Sequence, residues 1–437
     1  MRTGLAAFGV GVGLGLGLGL AGCGRLGFTE APAPDDGGDG AAGDTVTVVV
    51  TSDQYLAEPA GRPIAGATVL VERAGGTDRL ATNAAGIARF RATGALACHV
   101  IYKGDLGWRG YTVEPPVMAA AATIELGSRP ASNPSHNVTF ALPGNANAAS
   151  FTVRLPARCA FPGTSSSPAV PTPFDATCEG TAVHAFGFAL PASGSGSPDL
   201  YVDAGTVTLA NNATLPVTGD YQPVATRTLQ VANLPAATDS VSAELVQRSG
   251  LDLTSLTPTP AGAIGNATSA TLRLGAAPGG NGVSLTAFAV TPVQLLSTST
   301  LIAPLGLATS ANFDAGDMLP LFGALNVGDP TRMTWTGGEG GTITIVERNA
   351  GGVQWDWYLP ASATAAQLPA IPDDLGVPGS KPVDFAVVTR LAVPGARGGE
   401  LLPTIDRRWS LWPYDAMLFP DAGSAEARIL YSAGRGP

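Results

Sequence analysis

Outside its N-terminal apolar run, this chain has no stretch where apolar residues return every three or four positions between helix caps. That absence constrains the fold more than any motif. The runs that do occur are short and β-branched, such as Thr45-Val46-Thr47-Val48-Val49-Val50-Thr51, the composition of a strand. They are separated by glycine, proline and asparagine, and the 437 residues include 57 Gly and 36 Pro. Only 13% of residues are charged against 45% hydrophobic, enough apolar surface for folded domains rather than a disordered chain. The expectation is an all-β protein. At ~100–150 residues per domain, its length accommodates three or four of them.

The most readable block runs from 45 to 127. It contains Gly61-Arg62-Pro63-Ile64-Ala65-Gly66-Ala67-Thr68-Val69-Leu70-Val71, then Thr82-Asn83-Ala84-Ala85-Gly86-Ile87-Ala88-Arg89-Phe90. Asn83 to Gly86 supplies residues that tolerate turn geometry. These two segments resemble the carboxypeptidase-regulatory-like, transthyretin-like β-sandwich family. The resemblance implies a sandwich over 45–127 used as a spacer or binding module, and no catalysis.

Further blocks follow. Phe151 to Leu155 belongs to one over 135–220, and Thr228 to Pro235 with Val241 to Val246 to one over 225–310. Leu-Pro pairs at 142–143 and 234–235 suggest an internal repeat of Ig-like or fibronectin-like sandwiches. A last block, 318–437, holds paired strands around Gly337 to Gly341. It also holds five of the six tryptophans: Trp335, Trp355, Trp357, Trp409 and Trp412.

The N-terminus carries an address. Arg2 is the only charge before Cys23, and the apolar run Leu5 to Leu20 leads into Leu20-Ala21-Gly22-Cys23. A short basic start and an apolar core mark a secretory signal. Its end resembles the bacterial lipobox, which implies removal of residues 1–22, lipidation of Cys23 and attachment to the cell envelope. Gly24, where an Asp would favour retention at the inner membrane, leans the expectation to the outer membrane. Residues 23–44, rich in Gly, Asp and Pro, form a tether. The acidic run there lacks the spaced ligands of a calcium loop.

Chemistry is harder to place. The formal charge of −10 without basic clusters argues against nucleic-acid binding. His99, His136 and His184 show no metal-binding spacing, no phosphate loop or dinucleotide fingerprint occurs, and Ser193 to Ser197 is low-complexity sequence. No cofactor or metal site is expected. In an oxidising compartment Cys159 and Cys178 could close a disulfide. Cys98 beside His99 could suggest a metal pair, but strand neighbours face opposite ways, so a buried thiol is expected.

Two carboxylates suffice for glycoside hydrolysis, and Asp356, Asp406 and Asp415 lie near tryptophans. The candidate binding face is therefore Trp355, Trp357, Trp409, Trp412 and Tyr414, against the alternative that these rings fill a core. The leading expectation is a non-enzymatic, lipid-anchored envelope protein of stacked sandwiches, with a structural role or a protein or polysaccharide ligand. Its rivals are a carbohydrate-binding or hydrolytic lipoprotein, and an accessory of an outer-membrane assembly.

Overall fold

The computed structural model describes residues 45–52, 62–104, 107–115, 117–118, 123–127, 136–145, 147–156, 159, 163–174, 178–191, 200–249, 252–258, 262–265, 267–276, 280–290, 296–304, 310–379 and 381–392. Among them every extended element is a strand, and helix is confined to 3-10 turns such as Asp373–Leu375. The protein is all-β, with sandwich modules in tandem.

The first module comprises β1 (Thr45–Val50), β2 (Thr68–Arg73), β3 (Gly76–Ala81), β4 (Ile87–Arg91), β5 (Ala95–Gly104), β6 (Gly107–Val113) and β7 (Thr123–Leu126). The second comprises β8 (His136–Ala141), β9 (Ala148–Arg154), β10 (Gly163–Ser165), β11 (Ala169–Phe174), β12 (Ala182–Pro191), β13 (Leu200–Thr208) and β14 (Thr214–Pro216), with β15 (Gln222–Pro223) on the edge beside β13. The third comprises β16 (Ala225–Ala232), β17 (Ser240–Ser249), β18 (Asp252–Pro258), β19 (Gly262–Ala263), β20 (Ala270–Ala276), β21 (Gly282–Val290), β22 (Leu296–Pro304) and β23 (Ser310–Asp314). The fourth comprises β24 (Phe322–Asp329), β25 (Arg332–Gly337), β26 (Ile343–Ala350), β27 (Val353–Pro360), β28 (Ala365–Gln367) and β29 (Phe385–Leu391).

The first three modules repeat one topology. In each, the opening strand is the centre of a three-stranded sheet: β4-β1-β7, β11-β8-β14 and β20-β16-β23. Each opening strand pairs antiparallel on one side and parallel with the closing strand on the other. The facing sheets run β3-β2-β5-β6, β10-β9-β12-β13 and β18-β17-β21-β22. Alternation explains why: β1 shows inward Val46, Val48 and Val50 between more exposed residues, so one face enters the core and the other meets solvent. Leu142 and Leu234, each before a proline, are buried just past the central strands β8 and β16. The pairs thus mark one structural position twice. Cys159 and Cys178 are disulfide-bonded within the second core.

The modules do not hang as separate beads. Phe186, Phe188 and Tyr201 of the second join the core of the third. Ser297 and Ser299 of the third bond the backbone at Phe322 and Leu319, both at 2.8 Å. The expected separateness of the last block gives way furthest. β27 pairs in parallel with β6, placing Trp355 beside Gly110 and Trp357 beside Thr112. The first and fourth modules therefore share one seven-stranded sheet, β29-β26-β27-β6-β5-β2-β3. Backbone bonds from Trp108 to Gly352 and from Glu114 to Tyr358, both 3.0 Å, extend the seam at its two ends.

Two cores use the shared sheet. Val69, Val71, Val100, Val113, Ile343, Ile345 and Tyr358 project from one face onto β4-β1-β7. Leu70, Ile101, Val346, Trp355, Trp357, Leu359 and Val388 project from the other onto β24, β25 and β28. Residues of both modules appear in both cores, so neither sandwich is complete without the other's strands.

Candidate functional site

The seam places the tryptophans differently from the expected binding face. Trp355 and Trp357 are 0% and 1% exposed. β27 is a central strand covered on both faces, so alternation there yields two interior surfaces. Burying a ring of this size removes roughly 150–250 Å² from water, about 4–6 kcal/mol of transfer free energy as an upper estimate. Both indoles are satisfied: Trp357 Nε1 donates to the Gln367 carbonyl at 3.0 Å and Trp355 Nε1 to Thr112 Oγ1 at 2.9 Å. Asp356 is likewise 2% exposed and cannot meet a sugar. Trp409, Trp412, Tyr414, Asp406 and Asp415 lie outside the described residues, as does Cys23.

Gly110 makes the arrangement possible. A Cβ there would lie 2.0 Å from Trp355 Cε3, so only glycine lets the ring lie on β6. Below the ring runs a polar row that sequence reasoning missed. Thr112 Oγ1 is 2.9 Å from His99 Nδ1, and His99 Nε2 is 3.2 Å from Glu72 Oε1, off the line of a hydrogen bond. The registers Leu70↔His99 and His99↔Thr112 put all three side chains on one face.

A carboxylate, an imidazole and a hydroxyl in sequence have the order of a nucleophilic triad. Here the hydroxyl is 1% exposed and capped by the Trp355 indole, so no substrate reaches it. The bonds fit a neutral ring in which Thr112 donates to Nδ1 and the Nε2 proton faces Glu72. Burial pushes the His99 pKa below its usual value, and Glu72 opposes this only in part. Glu114 is displaced upward by burial and by the Glu72 charge. The row orients Trp355 across the module junction.

On the other side of Trp355 lies a cavity of about 420 Å³. Arg348, Ala350, Val353 and Trp355 supply the sheet side, and the segment from Gln367 to Gly379 the opposite side. Arg348 and Trp355 are cross-strand partners, while Arg348 faces Ala386 on its other flank, a small residue that leaves room.

The remaining candidates fall elsewhere. Cys98 faces the opposite core from His99, 1% exposed, and burial pushes its thiol pKa up to about 12. His136 and His184 each meet one carboxylate, Glu179 at 3.1 Å and Asp203 at 2.8 Å. Among the described residues no group of three or more His, Cys, Asp or Glu could hold a metal ion, and no helix is long and apolar enough to cross a membrane.

No family model matches the chain, and no curated protein does. Several solved structures are similar at low identity, among them the following three. The Bacillus anthracis TIE protein is 10% identical with a TM-score of 0.14, over 62% of this chain and 49% of its own. The chain thus spans about half the length of that protein. A Ca2+-stabilised adhesin with which an Antarctic bacterium binds ice is 12% identical with a TM-score of 0.13, over 82% and 96%. The major pilin subunit of Bacillus cereus is 8% identical with a TM-score of 0.12, over 62% and 98%. Likenesses this weak carry no argument about activity.

Proposed function

We propose that this chain is a non-enzymatic envelope protein, lipid-anchored through Cys23 and facing away from the cytoplasm, whose stacked β-modules hold a structural or binding role at the surface. The observation that carries the reading is the repeated seven-strand topology, with its closed apolar cores and tight junctions. Such an array spans distance and presents surface, the two tasks of a projecting scaffold. The transthyretin-like likeness of 45–127 agrees with a spacer. The lipobox-like Leu20-Ala21-Gly22-Cys23 supports the anchor.

Fractionation tests it. Expressed in a bacterium with a lipoprotein pathway, the full chain takes up labelled fatty acid and sediments with membranes, while Cys23→Ala does neither. If Cys23→Ala stays membrane-bound and the unsubstituted chain takes up no label, the anchor is wrong.

A further inference from the structure

We propose that the cavity over Arg348 binds a carboxylate carried on an apolar body. This site is independent of the lipid anchor and would exist whether or not the protein is displayed at a surface.

The shared sheet contains two buried arginines on one face, and they differ in a telling way. Arg390, 3% exposed, has a partner at each of its three nitrogens: Nε donates to Thr344 Oγ1 at 3.2 Å, Nη1 to the Gly338 carbonyl and Nη2 to the Ala363 carbonyl at 2.6 Å. The Phe322 ring also lies beneath its guanidinium, 5.9 Å from the centroid. That arginine is a structural clamp.

Arg348, 2% exposed, is not so engaged. Its Nη2 donates to the carbonyls of Pro330 at 2.6 Å and Lys381 at 3.1 Å, whereas Nε is buried with no acceptor. No carboxylate pairs with it among the described residues. Asp384 attracts it only from a distance, its Oδ2 being taken by the Gly351 N–H at 2.8 Å. A buried cation without an anionic partner is costly, and a buried donor left bare costs about 1–3 kcal/mol. Arg348 bears both costs where it lines a cavity of about 420 Å³, within the ~300–1,000 Å³ range of small-molecule sites. With both Nη2 hydrogens taken by those carbonyls, a ligand carboxylate would meet the guanidinium charge through its remaining N–H groups, one charge-assisted bond rather than a paired fork.

The rest of the lining selects among anions. Besides Arg348 the charged residues are Lys381 and Asp373, leaving one net positive charge. That suits a monoanion better than a phosphate or sulfate. Leu368, Ile371 and Val377, all half-buried, present carbon to the remainder of the ligand. Thr331 and Gln367 alone offer side-chain hydroxyl or amide groups, too few for a sugar ring.

Calorimetric titration of the full chain tests the site with three probes: N-acetyl-leucine, its uncharged amide and galacturonate. N-acetyl-leucine is expected to saturate at a Kd on the order of 1 mM or tighter, and the amide to bind at least about tenfold more weakly. Galacturonate is expected to bind more weakly than N-acetyl-leucine. Ala370→Trp, at an exposed position on the lining, should fill the cavity and weaken binding about tenfold without changing Tm. Arg348→Lys should weaken it similarly; if that variant unfolds, Ala370→Trp decides. Equal binding of acid and amide, no saturation by N-acetyl-leucine at ~50 mM, or unchanged binding in Ala370→Trp overturns the proposal. Tighter binding of galacturonate overturns the ligand class.

Discussion

Gly110→Ala is the smallest change that should pull the first and last modules apart. In an exposed strand the same substitution would gain a few tenths of a kcal/mol to about 1 kcal/mol, because alanine restricts the unfolded chain more than glycine. At this position the new Cβ falls 2.0 Å from Trp355 Cε3 and within 2.4 Å of two further ring atoms. Carbon atoms rest at about 3.5 Å, so the ring must retreat by ~1.5 Å. The only room lies towards the cavity on its far side, and moving there gives up its bond to Thr112. Overpacking of this kind costs about 1–3 kcal/mol, and losing the bond to Thr112 brings the total towards the upper end. The assay is urea unfolding followed by far-UV circular dichroism, comparing the transition that carries these two modules, since a multidomain chain need not unfold in one step. A double-mutant cycle with Trp355→Leu isolates the contact. Gly110→Ala should cost under ~1 kcal/mol once the ring is gone, a coupling of about 2 kcal/mol. If Gly110→Ala lies within ~0.5 kcal/mol of the unsubstituted chain, or the two changes add, the ring does not lie on β6.

Two other outcomes follow from the cores. Reducing the Cys159–Cys178 disulfide, or replacing both cysteines by alanine, should lower the stability of the second module by roughly 3 kcal/mol, measured by urea unfolding with and without reductant. Because burial holds the His99 pKa below its usual ~6.5, the unfolded chain takes up a proton there first. Stability from this group is therefore complete above pH ~6.5 and declines as pH falls towards the folded pKa. Thermal melts from pH 8 to pH 5 should show a shallower decline in His99→Gln than in the unsubstituted chain, and an equal slope would exclude a buried neutral imidazole.

How much of this could be read beforehand depends on how local each signal is. β1 announces itself because its period-2 valines need only one buried face, and Cys98 and His99 part company by the same rule. The Leu-Pro pairs mark equivalent positions because each follows a central strand. The parallel pairing of β6 with β27 joins residues more than two hundred positions apart and leaves no local trace. Without it, a Trp-rich strand is equally compatible with an outward face and with a core. Gly110 carried the missing clue, a small residue within a strand, but its meaning requires knowing that Trp355 lies opposite. The cavity was illegible for a similar reason: Arg348 and Lys381 share a site only because β26 and the loop before β29 converge. The row from Glu72 to Thr112 emerges only once the strand registers are fixed.

The most direct test of the shared sheet is a crosslink across its seam. Arg109 and Gln354 are register partners on β6 and β27, both half-buried, and their side chains leave the sheet on the same side. In an Arg109→Cys, Gln354→Cys variant, neighbouring strands ~4.8 Å apart place the two Cα atoms within disulfide range. Mild oxidation of the native protein should then link the peptides containing 109 and 354, detected by mass spectrometry of a non-reduced digest, at an unchanged or higher Tm. Two free thiols under conditions that oxidise exposed pairs, with the protein folded, would mean that the first and last modules do not share a sheet.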